Sequence, residues 1–311
     1  MIPSGDTPFN GIYPATLCPL RDDYSIAEDA LAGHVSSMAD VGGNVGVLCN
    51  GHAGENFVLG REEKRRVVEI VRAAIGERAI VVSGVNCEGT SEAVEHACDA
   101  QAAGADVIMV FAPNSWGLFQ DDAMALAHHR AIIEAVDLPI MLFQASVNAG
   151  QMAYRPEVLA RLACLPQVVA IKDGSWEVAR YEANRRLVKD VAPGVAVMGS
   201  GDEHLMASYV VGSEGSLVSL SVVIPETIIA LYEAVRKDDM VAARAAHAII
   251  YPLAKAIYGT PPGGYATARL KTCLKLLGKL ENDLVRPPIG PLPAEEVTML
   301  CSVLETTGLL S

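Results

Sequence analysis

Eight apolar runs, each followed by a stretch with helical spacing, succeed one another over the first 235 residues. No other feature of the chain narrows its fold as much. The runs are Gly11–Cys18, Asn44–Cys49, Ala79–Gly84, Asp106–Phe111, Pro139–Phe143, Val168–Asp173, Val195–Gly199 and Glu214–Leu220. Between them lie helical patterns such as Ser25–Asp40, where Ile26, Ala30, Leu31, Val35 and Met38 recur at three- and four-residue intervals. Further helices are expected over Arg61–Ile75, from Ser91, over Asp121–Val136, from Pro156, over Trp176–Val191 and Glu203–Val210, and from Pro225, a favoured first helical residue. Continuous apolar strands are buried on both faces, which is the habit of parallel strands covered by their own crossover helices. Eight consecutive strand–helix units are the arithmetic of a (β/α)8 TIM barrel. The alternative, a doubly wound open sheet, rarely runs to eight units, and no glycine fingerprint for dinucleotides follows the first strand.

The remaining residues read as helices over Met240–Tyr258, Ala266–Leu277 and Ala294–Thr306, with Pro261–Gly264 and Arg286–Pro288 as hinges. The expected organisation is a barrel over residues 1–235 and a C-terminal helical extension over 236–311 packed on it. Hydrophobic residues make up 51% of the chain and aromatic residues only 5%, so small aliphatic side chains carry the burial, as in an α/β protein. A net charge of −13 argues against nucleic acid and against an anionic membrane surface as partners. Seven scattered cysteines, none paired at zinc-ligand spacing, read as small hydrophobes in a reducing compartment. Neither a leader-like segment nor a bilayer-spanning run stands out. A soluble cytoplasmic protein with no metal and no cofactor is the expectation.

In a barrel, residues just after each strand converge on one mouth. The segment Val168–Gly174 delivers Lys172 at the end of a buried strand. Dehydration there disfavours the ammonium, and a neutral amine attacks carbonyl carbon, so one reading is a Schiff-base lysine. The other is a strand-end lysine that snorkels to water. After the second strand, Asn50–Glu55 reads equally as glycine-flanked backbone N–H groups suited to a carboxylate or as an ordinary loop, with His52 as an acid/base or a plain loop residue. After the fourth comes Trp116, a wall for an apolar substrate or a lid-packing side chain. Gly201 permits close approach of a ligand, and Asp202 reads equally as a helix cap or a catalyst. His128 and His129, adjacent on a helix, lack metal-pair spacing and read as a solvated face.

Several of these segments also match a known family in order and spacing. The chain resembles the dihydrodipicolinate synthase / N-acetylneuraminate lyase family of class I aldolases and lyases over almost its full length. Gly51-His52-Ala53-Gly54-Glu55 stands where that family has Gly-Thr-Thr-Gly-Glu, and Ala170-Ile171-Lys172-Asp173 resembles its Schiff-base strand. Ser200-Gly201-Asp202, Gly215–Ser219 and Val285-Arg286-Pro287-Pro288 match further family stretches. The resemblance implies a homo-oligomer, tetramer or dimer, whose substrate is a 2-oxo acid, often pyruvate. The acid would condense with Lys172 and lay its carboxylate against His52 and Ala53. It implies a catalytic role for Lys172; His52 is expected to be catalytic beside it, and the substrate site is expected to include Gly51, Ala53, Ser115, Trp116, Phe143, Gly201 and Val218.

The departures bear on the reaction. Phe143 stands where the family carries a proton-shuttling tyrosine, Ser115 where it has a second tyrosine, and Asn148 where the synthase binds a carboxylate with arginine. His52 and Ala53 replace two threonines. These replacements argue against dihydrodipicolinate synthesis itself. Two accounts fit: an imine-forming lyase, aldolase or dehydratase with a rewired proton path, in which His52 or a water carries protons, or a catalytically silent member that binds a small carboxylate.

Overall fold

The computed structural model describes residues 9–310, so the first eight residues assigned to the expected barrel lie outside it. Eight parallel strands form the barrel: β1 (Gly11–Pro14), β2 (Gly46–Cys49), β3 (Ile80–Val85), β4 (Val107–Val110), β5 (Ile140–Gln144), β6 (Val168–Asp173), β7 (Ala196–Gly199) and β8 (Gly215–Val218). Their order is β1-β8-β7-β6-β5-β4-β3-β2, and bridges Ile12–Asn44 and Ala15–Leu48 draw β1 and β2 together. Between and after the strands lie α1 (Glu28–Asp40), α2 (Arg61–Ile75), α3 (Thr90–Ala102), α4 (Asp122–Ala135), α5 (Pro156–Ala163), α6 (Val178–Val191), α7 (Leu205–Val210) and α8 (Pro225–Arg236). The chain is a (β/α)8 TIM barrel followed by three further helices, α9 (Met240–Tyr258), α10 (Ala266–Leu276) and α11 (Ala294–Thr306).

Period-two alternation sorts the core into two parts. Tyr13, Leu48, Val82, Met109, Met141, Ala170, Met198 and Leu217 fill the barrel interior. Their strand neighbours, among them Val47, Val110, Leu142, Ile171, Val197 and Val218, face the ring of helices. The same alternation carries Phe143, two residues beyond Met141, and Lys172, two beyond Ala170, to the interior at the strands' C-terminal ends. Register sets Phe143 directly beside Lys172.

The extension closes over that end. Helix α9 packs along α8, while α10 touches the 3-10 turn His52–Gly54 after β2. A buried ion pair fastens this contact: Lys271 of α10 donates to the Glu55 carboxylate, which also accepts the Arg286 N–H at 2.9 Å. Gly84 is required at the β2–β3 seam, because a Cβ there would lie 2.2 Å from the Asn50 carbonyl oxygen.

Two expectations need correction here. His128 and His129 are buried, not solvated. His128 Nδ1 shares a hydrogen bond with Thr90 Oγ1, and His129 bridges the Ala125 carbonyl and the Tyr154 hydroxyl. The cysteines are all free, but Cys98 and Cys164 are exposed rather than packed inside.

Candidate active site

A cavity of about 490 Å³ opens at the C-terminal end of the barrel, within the range of small-molecule sites. Lys172 rises from its floor, partly exposed to the cavity. Its Nζ lies 5.6 Å from the centre of the Phe143 ring. Burial pulls its pKa down to about 8, and the nearby Asp202 carboxylate resists that shift. A meaningful fraction of free amine is therefore present at neutral pH.

His52 sits opposite, enclosed by three phenyl rings. Its ring centre is 4.6 Å from Phe57, 4.5 Å from Phe111 and 5.4 Å from Phe143. Desolvation by these rings, aided by the Lys172 charge, lowers its pKa to about 3, so the imidazole is neutral across the physiological range. The turn it begins has no side-chain cap, which leaves the first N–H groups available to an acceptor.

The opposite wall is polar. Asp202, buried at the end of β7, accepts the Leu220 N–H at 2.9 Å and the Tyr258 hydroxyl at 3.1 Å. Tyr258 Oη is also 2.6 Å from Ser219 Oγ. Burial raises the Asp202 pKa to about 6, while the backbone hydrogen bond, Tyr258 and the Lys172 charge act to lower it. Asp202 thus binds the β8 exit and α9 instead of capping its own helix. Trp176 completes this side, its ring 5.3 Å from that of Tyr258. It adopts a left-handed backbone at φ +58°, a strained geometry that delays α6 until Val178 and turns the indole into the cavity.

Of the residues expected at the site, Lys172, His52, Ala53 and Phe143 line the cavity. The others do not. Val218 points outward by strand alternation and joins the core beneath the helices. Gly51 is buried, its carbonyl accepting the Gly54 and Asn56 N–H groups. Gly201 lies behind Trp176, and a Cβ there would meet that residue's backbone at 3.7 Å. Ser115 is exposed on a 3-10 turn whose Asn114 and Ser115 N–H groups are gripped by Glu88. Trp116, next to it, is buried against His128, 5.4 Å between ring centres. From the C-terminal helices and the turn before α10, Tyr258 reaches the cavity, Tyr265 does not line it, and Lys271 is spent on Glu55. Reasoning from strand ends missed Phe57 and Trp176, which come from loops, and could not place Tyr258, which comes from α9.

Among the described residues one trio, Cys87, Glu92 and His96, holds possible metal-ligand atoms within 4.8 Å of one another, outside the cavity. Lys64 bears on both Cys87 and His96, and its positive charge opposes a cation there. No helix among the described residues is long and apolar enough to cross a membrane.

The geometry can be set beside known proteins. The 4-hydroxy-tetrahydrodipicolinate synthase of Methanothrix thermoacetophila is 30% identical over 302 residues, 95% of this chain and 96% of that one. The enzyme of the same name from Parasynechococcus marenigrum is 32% identical over 300 residues, 96% of this chain and 95% of its own. Among solved structures, YagE is a prophage protein of E. coli K12 in the dihydrodipicolinic acid synthase family, crystallised with pyruvate. It superposes with a TM-score of 0.89 at 24% identity, covering 97% of this chain and 99% of YagE. Dihydrodipicolinate synthase from Thermotoga maritima gives 0.88 at 22% identity, covering 97% and 99%. The family model for the dihydrodipicolinate synthetase family matches residues 8–307, and the chain therefore belongs to that family.

Proposed function

We propose that this protein is a Schiff-base-forming lyase, aldolase or dehydratase that binds pyruvate or another 2-oxo acid covalently at Lys172. The observation that carries the reading is the Lys172 amine itself, dried by its surroundings and presented to a cavity of substrate size. Pyruvate is the ligand held by YagE, a relative of the same fold. The substrate carboxylate lies against His52 and Ala53, where a neutral imidazole and turn N–H groups offer hydrogen bonds without a competing charge.

The second substrate is apolar or aromatic, and the reaction is not dihydrodipicolinate synthesis. The cations lining the cavity, among the described residues, are Lys172 and Arg286. Arg286 is committed to Glu63 and to the Tyr24 carbonyl. A second carboxylate therefore has no counter-charge, since Asn148 is exposed and outside the cavity. Phe57, Phe143, Trp176 and Ile289 offer apolar surface instead. The chain works in the cytoplasm as a homo-oligomer, dimer or tetramer, for which exposed Leu118, Phe119 and Val147 supply apolar contact surface.

Incubation with pyruvate and borohydride, followed by peptide mass mapping, tests the imine: a reduced adduct on Lys172 is expected, and its absence with every 2-oxo acid tried removes the reading. Loss of the hydroxyl at Phe143 favours one second reading, a silent binding protein, which predicts the adduct but no turnover of any aldehyde. Trp176→Ala tests the apolar wall. Burying an aromatic side chain contributes about 1.5–3 kcal/mol, so kcat/KM for aromatic aldehydes should fall roughly 10- to 100-fold while adduct formation changes little. Equal loss for small aliphatic aldehydes would rule out an aromatic-specific wall.

A further inference from the structure

The imine proposal leaves a gap. Forming the adduct, expelling water from it and taking a proton from the carbon beside it all require proton transfer, which positioned groups accelerate by about 10²–10⁴-fold. The side chains next to Lys172 on two sides supply little: Phe143 has no exchangeable proton, and the His52 imidazole, desolvated among phenyl rings with its pKa lowered to about 3, is a weak base. The third side differs.

We infer that Tyr258, held between Ser219 and Asp202, carries protons between the Asp202 carboxylate and the adduct on Lys172, so that this site draws its phenol from α9 while β5 presents a phenyl ring. The inference rests on the Schiff-base reading of Lys172. Tyr258, Asp202, Ser219 and Lys172 line one cavity. The phenol donates to Asp202 Oδ1 at 3.1 Å and lies 2.6 Å from Ser219 Oγ. The Leu220 N–H fixes the carboxylate, the Trp176 ring packs against that of Tyr258, and each group is thereby held in one orientation. Both of these hydrogen bonds fall on Oδ1, so the oxygen that exchanges a proton with the phenol is the one the Leu220 N–H holds in place. The cavity's other hydroxyls, Ser200 and Thr267, are not bonded to a carboxylate among the described residues. Charges on Lys172 and Asp202 influence each other, as an acid/base partner of the reacting amine requires. A purely structural role, tying α9 to the β7 and β8 exits, explains the hydrogen bonds but not the placement of the phenol in the cavity wall.

The steps balance. The Lys172 amine bonds to the keto carbon, and its proton passes to the oxygen, giving a carbinolamine. A proton from Asp202, relayed by Tyr258, joins the departing hydroxyl as the C–O bond breaks and the lone pair on nitrogen forms the iminium. The neighbouring C–H bond then breaks; its electrons form the C=C bond of the enamine, and its proton returns through Tyr258 to Asp202. Burial holds the Tyr258 pKa well above that of an ordinary phenol, so the hydroxyl gives and receives in one movement and never rests as phenolate.

Exchange of the pyruvate methyl protons in D2O, followed by NMR, reads this path without any second substrate. Borohydride trapping on the same samples reads the imine separately. With saturating pyruvate, Tyr258→Phe and Asp202→Asn should reach the parental extent of trapped adduct, while exchange per adduct falls about a hundred-fold. In the parent, exchange per adduct should rise with pH through about 6, where Asp202 ionises, and that limb should vanish in Asp202→Asn. The titratable groups facing Asp202 are Lys172 from β6, Tyr258 from α9 and Tyr209 from α7; none of them has its pKa near 6. Parental exchange in Tyr258→Phe at an unchanged adduct level would overturn the relay and leave the imine standing. Absence of any adduct in the parent would remove the imine, and the relay with it. If Tyr258→Phe is too unstable to trap, Asp202→Asn, which keeps an acceptor for Leu220, decides alone by its pH profile.

Discussion

Lys172→Met is expected to abolish both the trapped adduct and methyl-proton exchange while making the protein more stable near pH 7. Among the described residues no other amine lines the cavity, so loss of chemistry should be complete within detection. The gain in stability follows from the same desolvation that activates the amine. In the folded protein Lys172 ionises at about 8, whereas an unperturbed lysine does so near 10.5. Below pH 8 both states are protonated, and the folded state bears the full cost of a charge it solvates poorly. Between pH 8 and 10.5 the unfolded chain holds a proton that the folded chain has released, so parental stability climbs with pH. That interval corresponds to about 3 kcal/mol at most. Removing the ammonium also strips Asp202 of a nearby positive charge, which returns part of the gain, so roughly 2 kcal/mol is the expected net. Methionine is close to lysine in length and polarisable enough to fill the space. Urea denaturation near pH 7 and near pH 10 provides the check: the mutant's advantage should be large at the first and small at the second. A mutant less stable than the parent near pH 7 would show that Lys172 is well solvated, and the case for a free amine would fail with it.

What the sequence discloses follows from what strand alternation can encode. The repeated strand–helix units specify the barrel, and counting by twos along Val168–Asp173 carries Ala170 and Lys172 to the same interior side. Phe143 follows by the same count on the adjacent strand, so its contact with Lys172 is legible in the pattern alone. The same count corrects Val218: Leu217 fills the interior, which turns its neighbour outward. His128 and His129 are legible too, but their chemistry hides the spacing. His128 falls three residues after Ala125 and four before Ile132, and His129 four after Ala125 and four before Ile133, on the buried stripe of α4. Imidazoles there read as solvated because their partners, Thr90 and Tyr154, are distant in sequence. Trp176 and Tyr258 lie beyond such reasoning. The first depends on a left-handed turn at a non-glycine residue, which nothing local requires. The second depends on how α9 packs over the barrel mouth, a tertiary fact with no periodic trace. The polar wall of the cavity is thus the least visible part of the site, although it holds the groups best suited to move protons.

The loop carrying His52 owes its position to a distant ion pair, and breaking that pair should cost more stability than any other single change proposed here. Lys271 and Glu55 are both buried, with side chains 1% and 8% exposed. Lys271 also donates to the Leu284 carbonyl at 2.6 Å, and Glu55 accepts the Arg286 N–H. Glu55 has a left-handed backbone at φ +59°, so this residue closes the turn as well as anchoring it. Lys271→Met leaves a carboxylate buried without its counter-charge, a loss expected at about 3–5 kcal/mol. Glu55→Gln leaves the ammonium with only carbonyl and amide oxygen acceptors and should cost a comparable amount. The double variant removes both charges, and the new side-chain amide oxygen still accepts the Arg286 N–H. It should therefore recover much of the loss, because two neutral groups are far less costly to bury than one unpaired ion. A double-mutant cycle by chemical denaturation measures this directly, with a strongly favourable coupling expected. Single variants within about 1 kcal/mol of the parent would mean that the pair is effectively solvated. In that event the C-terminal helices would not be what holds the His52 turn over the cavity.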